Sequence, residues 1–162
     1  MPRPDPGFGD AERANARQLI RMALAGDLGD RGDLTTTAVI PASARGSARL
    51  VARAPGVLAG LPIVAMLLEE FGVPGWRPRK EDGDALEAGD LVAEIEGGSR
   101  AILALERTAL DFVQRLAGVA TLTSRFVAEA RGTRAKVLDT RKTTPGWRIL
   151  EKYAVRCGGG SN

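Results

Sequence analysis

Residues 135–160 read AKVLDTRKTTPGWRILEKYAVRCGGG, and this stretch decides the fold class that the sequence predicts. Residues 135–138 are a short apolar run with one lysine, which favours a strand. The polar run DTRKTTPG follows at 139–146, and a helix is predicted from 147 to about 156. A strand that leads into a polar run and then a helix is typical of active sites at strand ends in α/β proteins. We therefore expect the candidate site at 139–146.

Two adjacent cations, Arg141 and Lys142, lie at the centre of this polar run. Neighbouring side chains at a strand end point to opposite sides, so one can meet a ligand while the other meets a second ligand or an acidic group. The threonine hydroxyls beside them suit phosphate or carboxylate oxygens. An alternative interpretation is a solvated loop in which Thr144 caps a helix and Pro145 occupies the first turn. This alternative explains Thr144 but gives residues 139–142 no role.

Toward the N-terminus, the strongest periodic pattern predicts a helix from about 100 to 130. Apolar residues recur there at spacings of three and four, which indicates one buried stripe. The stripe consists of Ile102, Leu105, Ala109, Phe112 and Leu116. Gly118 is expected to split this region into two helices. Further helices are predicted over about 11–25, with Gly26 as the stop signal, and over 61–71.

Strands are predicted from alternation and from turn residues. Polar and apolar residues alternate within 44–60, which predicts a half-buried strand, a turn and a returning chain. Two more strands are expected at 76–80 and 91–95, separated by EDGDALEAGD (81–90), in which Gly-Asp occurs twice. The sequence GDLGDRGDLTT (26–36) is interpreted as a loop.

Composition excludes several kinds of chemistry. The 162 residues contain no His and one Cys, Cys157, which rules out a Ser-His-Asp or Cys-His arrangement, an internal disulfide and a multi-thiolate metal site within this chain. No signal peptide and no apolar stretch long enough for a bilayer are seen, so a cytoplasmic protein without a membrane partner is expected.

Positive charge is concentrated at one end of the chain. Residues 131–162 hold eight basic and two acidic residues, a net charge of +6, whereas the whole chain carries +3. This asymmetry indicates an anionic partner. Aromatic residues make up only 4% of the sequence, and nucleic-acid surfaces usually combine bases with stacking aromatics. A small anionic ligand is therefore favoured over nucleic acid.

Several motifs resemble one enzyme family. DTRKTTPG (139–146), followed by LEKYAVRCGGG (150–160), is similar to the signature of quinolinate phosphoribosyltransferases, also called nicotinate-nucleotide pyrophosphorylases (carboxylating). GDLTT (32–36), GVLAG (56–60) and ERTALDFVQRLAGVATLT (106–123) resemble the same family in the same order. The resemblance implies that quinolinate and phosphoribosyl pyrophosphate are converted, with Mg²⁺, into nicotinate mononucleotide, pyrophosphate and carbon dioxide, in the de novo route to NAD.

The resemblance also implies roles for particular residues. Arg141 corresponds to a ligand of the quinolinate carboxylates, Thr140 to an adjoining substrate contact, and Lys142 to a catalytic lysine that lies between the two substrates. Arg107 corresponds to an arginine that reaches the neighbouring subunit's site in a homodimer. The alternative for Arg107 is an ion pair with Asp111, four residues further along a helix.

Arg115 and Arg156 are weaker candidates for shaping the pocket. Ordinary surface placement explains them equally well. No metal ligand is assigned within this chain, and the implied Mg²⁺ would be held by residues that the family carries further on.

The fold expected from the resemblance is α+β. An N-terminal α/β-sandwich (hammerhead-like) domain is predicted at 1–115, and the first elements of an incomplete α/β barrel at 116–162. In the family, a His-Arg pair and further substrate ligands follow the point at which this chain ends, so an N-terminal fragment without activity of its own is expected. A non-catalytic dimerisation or binding module, a nicotinate-specific relative and a molybdate-transport-associated relative are the alternatives, with a nucleic-acid-binding domain behind them.

Overall fold

The computed structural model describes residues 6–162. The helices are α1 (Asp10–Leu28), α2 (Leu34–Val39), α3 (Leu61–Glu70), α4 (Ser99–Glu129) and α5 (Arg148–Cys157), with a short 3₁₀ turn at Gly29–Arg31. The strands are β1 (Arg45–Val51), β2 (Gly56–Val57), β3 (Gly75–Pro78), β4 (Ala85–Leu86) and β5 (Leu91–Gly98). The predicted α+β class is confirmed. None of the helices in this range is both long and apolar enough to span a membrane.

The main sheet is antiparallel and has the order β1-β5-β3, while β2 and β4 form a separate pair. Exposed and half-buried residues alternate along β1, as the period-two pattern predicted. Ala48 lies opposite Ile95, and Arg49 lies opposite Glu94. A slip by one residue would move the half-buried side chains of β1 to the solvent face, so their partial burial favours this register.

The core lies between this sheet and the packed helices. All five residues of the predicted α4 stripe are buried. The same cluster includes Leu67 of α3 and both Leu150 and Tyr153 of α5. Helix α4 is therefore the element that connects the sheet to α5, and α5 is the element that borders the candidate site.

The predicted break at Gly118 is wrong, because α4 continues through this residue as one helix. Leu116 and Ala120, on either side of the glycine, are completely buried. A glycine costs a helix only about 1 kcal/mol relative to alanine, which is less than the stabilisation gained by burying two such side chains. Packing thus overrides the local signal. The predicted domain boundary at 115/116 falls inside this helix and stays a prediction.

We expect Gly118→Ala to stabilise the protein by roughly 0.5–1 kcal/mol, because alanine favours a helix and fits here. Apart from the backbone of its own helical turns, a Cβ at position 118 would meet no atom within 4 Å. Gly158→Ala is the contrasting variant, since its Cβ would lie 2.7 Å from Cβ of Thr123 and should cost about 1–3 kcal/mol. Urea denaturation measures both effects, and a loss of stability in Gly118→Ala would contradict this account.

The interpretation of 26–36 as a loop is only partly correct. Helix α1 passes Gly26 and ends at Leu28, where Gly29 adopts a positive φ of 54°. A second helix then begins after Asp33, because the Asp33 carboxylate accepts a 2.9 Å hydrogen bond from the backbone N–H of Thr36. This is a side-chain N-cap, and it places the threonines of GDLTT inside α2.

The predicted strand at 135–138 does not form a ladder. Its only pairing within residues 6–162 is a single parallel bridge between Leu138 and Ser161. Two backbone hydrogen bonds support this bridge, from Asp139 N to Ser161 O at 3.0 Å and from Ser161 N to Val137 O at 2.9 Å. A strand forms a ladder only when a neighbouring strand pairs with it along several residues. Within the described residues, only Ser161 pairs with this run.

Candidate functional site

Segment 139–146 (DTRKTTPG) lies on the surface between the end of α4 and the start of α5. Thr140, Arg141 and Lys142 are all exposed. The Thr140 hydroxyl oxygen accepts a 3.1 Å hydrogen bond from the backbone N–H of Lys142, which closes a small turn with Arg141 in its middle. The structure therefore brings these three predicted site residues together.

Helix α5 holds the first half of this segment. The Lys152 ammonium pairs with the Asp139 carboxylate at 2.9 Å. Arg148 donates from Nη2 to the carbonyl oxygen of Arg141 and from Nε to the hydroxyl of Thr143, each at 3.3 Å. The backbone that carries Arg141 is thus fixed to a helix, while its own guanidinium stays exposed.

The second half of the segment is held by an ion pair between two helices. Arg115 of α4 donates to Glu151 Oε1 of α5 at 2.5 Å and also to the hydroxyl of Thr144. The backbone N–H of Thr144 donates to Glu151 Oε2 at 3.3 Å. Partial burial by itself would raise the pKa of the Glu151 carboxyl, but the hydrogen bonds from Arg115 and Thr144 outweigh it and lower that pKa.

The alternative in which Thr144 caps α5 is wrong. The helix begins at Arg148, and its N-cap residue, Trp147, provides no side-chain hydrogen bond. Thr144 instead uses its hydroxyl to accept from Arg115. The adjoining turn is fixed by Asn15, whose side-chain amide donates to the Gly146 carbonyl at 2.9 Å.

Arg141 and Lys142 form no ion pair with any residue that the structure describes. The one acidic residue of the segment, Asp139, is already neutralised by Lys152. Three more exposed cations without an ion-pair partner in the described chain precede the segment: Arg131, Arg134 and Lys136. The exposed chain from 131 to 142 therefore presents positive charge that an anion can neutralise.

Arg107 lies away from this segment. Its Nη1 donates to Asp27 of α1 at 2.5 Å, so the alternative pair with Asp111 is wrong. Its side chain remains 76% exposed. Arg115, which does contact the segment, lies eight residues further along α4, or about 12 Å along the helix axis. Within the described residues, no hydrogen bond or ion pair connects Arg107 with 139–146.

Of the two weaker candidates, Arg115 contacts the segment and Arg156 does not. Arg156 donates to the carbonyl of Pro6 at 2.7 Å and to the Glu12 carboxylate at 2.7 Å. It therefore attaches α5 to the first turn of α1 and to the residues that precede it. Sequence reasoning missed Glu151 and Lys152. Their acidic and basic side chains follow the DTRKTTPG run within two helical turns, and this proximity was the available signal.

A further contact missed by sequence reasoning fixes α5 from its opposite side. The Tyr153 hydroxyl donates to the Asp82 carboxylate at 2.6 Å. The same carboxylate accepts from the backbone N–H groups of Gly60 at 2.6 Å and Leu61 at 3.1 Å, at the start of α3. Burial raises the pKa of the Asp82 carboxyl, and its three donors only partly oppose this. Asp82 thereby joins α3 to α5.

Divalent cations prefer several oxygen ligands, usually with at least one or two carboxylates. Residues 6–162 contain no group of three or more Cys, Asp or Glu side chains that could hold a metal ion. Segment 139–146 itself offers a ligand mainly the cations of Arg141 and Lys142 and the hydroxyl groups of its threonines.

Comparison with known proteins gives two family matches. Residues 33–117 match the model of the quinolinate phosphoribosyl transferase N-terminal domain, and residues 119–162 match that of its C-terminal domain. Nicotinate-nucleotide pyrophosphorylase [carboxylating] of Mycobacterium leprae is 46% identical over 94% of this chain and 55% of its own length. A probable enzyme of the same name from Bacillus subtilis is 39% identical over 90% of this chain and 50% of its own length.

Solved structures give the same result. The crystal structure of NadC from Streptococcus pyogenes has a TM-score of 0.88 and 39% identity over 95% of this chain and 55% of that chain. Nicotinate-nucleotide pyrophosphorylase from Ehrlichia chaffeensis has a TM-score of 0.85 and 35% identity over 90% of this chain and 53% of that chain. The chain spans about half the length of the curated relatives it matches. It belongs to the quinolinate phosphoribosyltransferase family.

Proposed function

We propose that this chain provides the quinolinate-binding cations of a phosphoribosyltransferase. The reaction would join quinolinate to the ribose carbon of phosphoribosyl pyrophosphate, with loss of pyrophosphate and carbon dioxide, to give nicotinate mononucleotide. The observation that carries the proposal is the pair of adjacent, exposed cations, Arg141 and Lys142, on a segment that three side chains of α5 hold in place. The names of the relatives support the choice of substrate.

The chemistry of this pair suits a dianionic substrate. The Arg141 guanidinium can donate two parallel hydrogen bonds to one carboxylate of quinolinate. The Lys142 ammonium is a compact charge that can attract a second carboxylate or the departing pyrophosphate. Positive charge aimed at a group that gains negative charge during reaction lowers the barrier. Thr140 would add a hydroxyl contact beside them.

Arg107 would act in a second subunit. Its side chain is largely exposed and lies away from segment 139–146 of its own chain. A homodimer in which Arg107 reaches the partner subunit's segment would add a third cation to the site. Mg²⁺ would be held by groups outside the described residues, and a cytoplasmic location stays a prediction.

A hybrid enzyme tests the proposal. Residues 1–162 are joined to the part of the Mycobacterium leprae relative that follows the matched stretch, and the parent enzyme serves as reference. We expect the purified hybrid to form nicotinate mononucleotide from quinolinate and phosphoribosyl pyrophosphate, and to discriminate strongly against nicotinate. Chromatography of the products measures both reactions. The 162-residue chain alone should be inactive.

The outcomes separate the alternatives. If a folded, dimeric hybrid converted nicotinate as efficiently as quinolinate, this result would contradict a site that selects a dicarboxylate. A folded hybrid without activity, together with a 162-residue chain that still forms a dimer, would overturn the proposed function in favour of a binding module. A second hybrid, built with the corresponding part of the Bacillus subtilis relative, guards against failure of one junction.

A further inference from the structure

The contacts around Thr144 contain an arrangement that no predicted substrate role explains. One carboxylate, on Glu151, uses its two oxygens for different partners: Oε1 accepts from Arg115 of α4, and Oε2 accepts from the backbone N–H of Thr144. Arg115 in turn donates to the hydroxyl of Thr144. A closed triangle of contacts thus connects two helices and the segment that carries the candidate site.

Burial makes this triangle stronger than an ordinary surface ion pair. The Glu151 side chain is only 12% exposed and that of Arg115 is 47% exposed. An exposed pair such as Arg77 and Glu96, with 66% and 63% of the two side chains exposed, contributes little because water and salt screen it. A carboxylate that is mostly removed from water depends on its donors, so loss of one donor should affect the others.

Position along the chain links the triangle to the substrate cations. Thr144 is two residues from Lys142 and three from Arg141. The contacts of Arg148 with Arg141 and Thr143 are 3.3 Å long, as is that of the Thr144 N–H with Glu151, but their donor side chain is exposed and uncharged groups accept from it. The cations are therefore held from both sides, by the 2.9 Å pair of Asp139 with Lys152 and by the contacts at Thr144, and only the latter join the segment to two helices.

We propose that Arg115 and Glu151 are positioning residues that set the orientation of Arg141 and Lys142 toward a dicarboxylate. They act through Thr144 and do not touch the substrate. The proposal rests on the proposed function for its ligand, but the position of the segment can be measured without any ligand.

The test uses the 162-residue chain, with Glu151→Gln and a matched control, Glu94→Gln. Glu94 also pairs with an arginine, Arg79, but it lies in β5 and has no contact with segment 139–146. Trypsin cleaves after Arg141 and Lys142, and mass spectrometry follows each bond separately. Cleavage after Arg53, a residue remote in sequence, serves as the internal reference. We expect about tenfold faster cleavage after Arg141 and Lys142 in Glu151→Gln only, since one charged hydrogen-bond acceptor is lost.

Binding of quinolinate by calorimetry is the second readout. Glu151→Gln should weaken binding about tenfold, while Glu94→Gln binds as the unmodified chain does. Arg115→Lys, which keeps a charged donor, should retain most of the affinity, and Arg115→Met should lose it. A purely structural ion pair would change the melting temperature and leave the affinity alone.

The two proposals fail in different ways. If the unmodified chain binds no quinolinate, the proposal that this chain provides the quinolinate-binding cations is overturned. The trypsin experiment still decides whether Glu151 holds the segment. If Glu151→Gln is cleaved no faster than the unmodified chain, the positioning role is overturned. Faster cleavage with unchanged quinolinate affinity would also overturn it, because the orientation of the segment would then not matter to the ligand.

Discussion

Replacement of Arg141 by alanine should strongly weaken the reaction of the hybrid enzyme with quinolinate. The guanidinium is exposed and has no ion-pair partner in the described chain, so its removal costs little stability. In the complex, however, one carboxylate would lose a bidentate partner. Truncation of one member of a hydrogen-bonded charge pair costs about 2–5 kcal/mol, and each 1.4 kcal/mol is about tenfold. We therefore expect kcat/KM to fall by about thirtyfold to several thousandfold.

Arg134→Ala is the matched control for this change. Arg134 is also exposed, carries the same charge and belongs to the same basic end of the chain. Its removal weakens only the long-range attraction of an anion, which salt screens beyond about 8–10 Å. Steady-state kinetics at two salt concentrations should show a small, salt-dependent loss for Arg134→Ala and a large, salt-independent loss for Arg141→Ala. Equal small losses in both variants would contradict a direct contact between Arg141 and the substrate.

Local patterns were sufficient for the elements whose burial follows a simple period. The alternation in β1 predicted its half-buried face, and the spacing in α4 predicted its buried stripe, because both patterns report on one face of one element. The polar run 139–146 likewise indicated a surface segment that carries both Arg141 and Lys142. These residues are neighbours in sequence, so no long-range information was needed.

The errors arose where distant residues decide the outcome. Gly118 stays helical because the side chains around it are buried. Arg107 pairs with Asp27, which is eighty residues away, and not with Asp111 on its own helix. The role of Glu151 depends on Arg115 and Thr144, which the fold brings together from separate elements. Contacts between residues far apart in the sequence cannot be predicted from the spacing of neighbouring residues. The candidate site could thus be located from sequence, while the residues that hold it in place could not.

The repeated Gly-Asp pattern at 81–90 forms two similar turns in the structure. Asp84 N donates to Glu81 O at 3.0 Å, and Asp90 N donates to Glu87 O at 3.1 Å. Each turn has a glycine with positive φ at its third position, Gly83 at 92° and Gly89 at 93°. This is the requirement of a type II turn. The second position differs: it is Asp82 in the first turn and an alanine in the second.

Because the second turn tolerates alanine at this position, Asp82→Ala should leave the first turn intact and remove only its long-range contacts. Three donors would then lose their acceptor: the buried backbone N–H groups of Gly60 and Leu61, and the buried hydroxyl of Tyr153. Each buried, unpaired polar group costs about 1–3 kcal/mol. Three such groups sum to about 3–9 kcal/mol, and removal of the desolvated carboxyl offsets part of this cost. We therefore expect urea denaturation to show a loss at the lower end, roughly 3–5 kcal/mol, which is large compared with the usual stability of a domain.

Asp90→Ala is the control, since Asp90 occupies the last position of the second turn and its salt bridge with Lys80 lies nearer the surface. Its carboxylate accepts from Lys80 and from the backbone N–H of Glu87, and its loss should cost clearly less stability than the loss of Asp82 because water solvates these groups. Tyr153→Phe removes one donor and keeps the carboxylate, so an intermediate loss is expected. If Asp82→Ala were no less stable than Asp90→Ala, the link between α3 and α5 through Asp82 would contribute nothing to folding.

The pH dependence of stability is a second test of the contact that Asp82 makes between α3 and α5. Burial raises the pKa of the Asp82 carboxyl above its ordinary value, so the folded protein holds this proton more tightly than the unfolded chain does. The stability that this protonation contributes to the folded state is fully present below the ordinary carboxyl pKa. It declines as the pH rises through the higher pKa that Asp82 has in the folded protein. Asp82→Asn does not titrate, and the stability of the unmodified chain should fall relative to this variant over that interval. If it rose instead, the donors on Tyr153, Gly60 and Leu61 would have to outweigh burial and keep the carboxylate ionised.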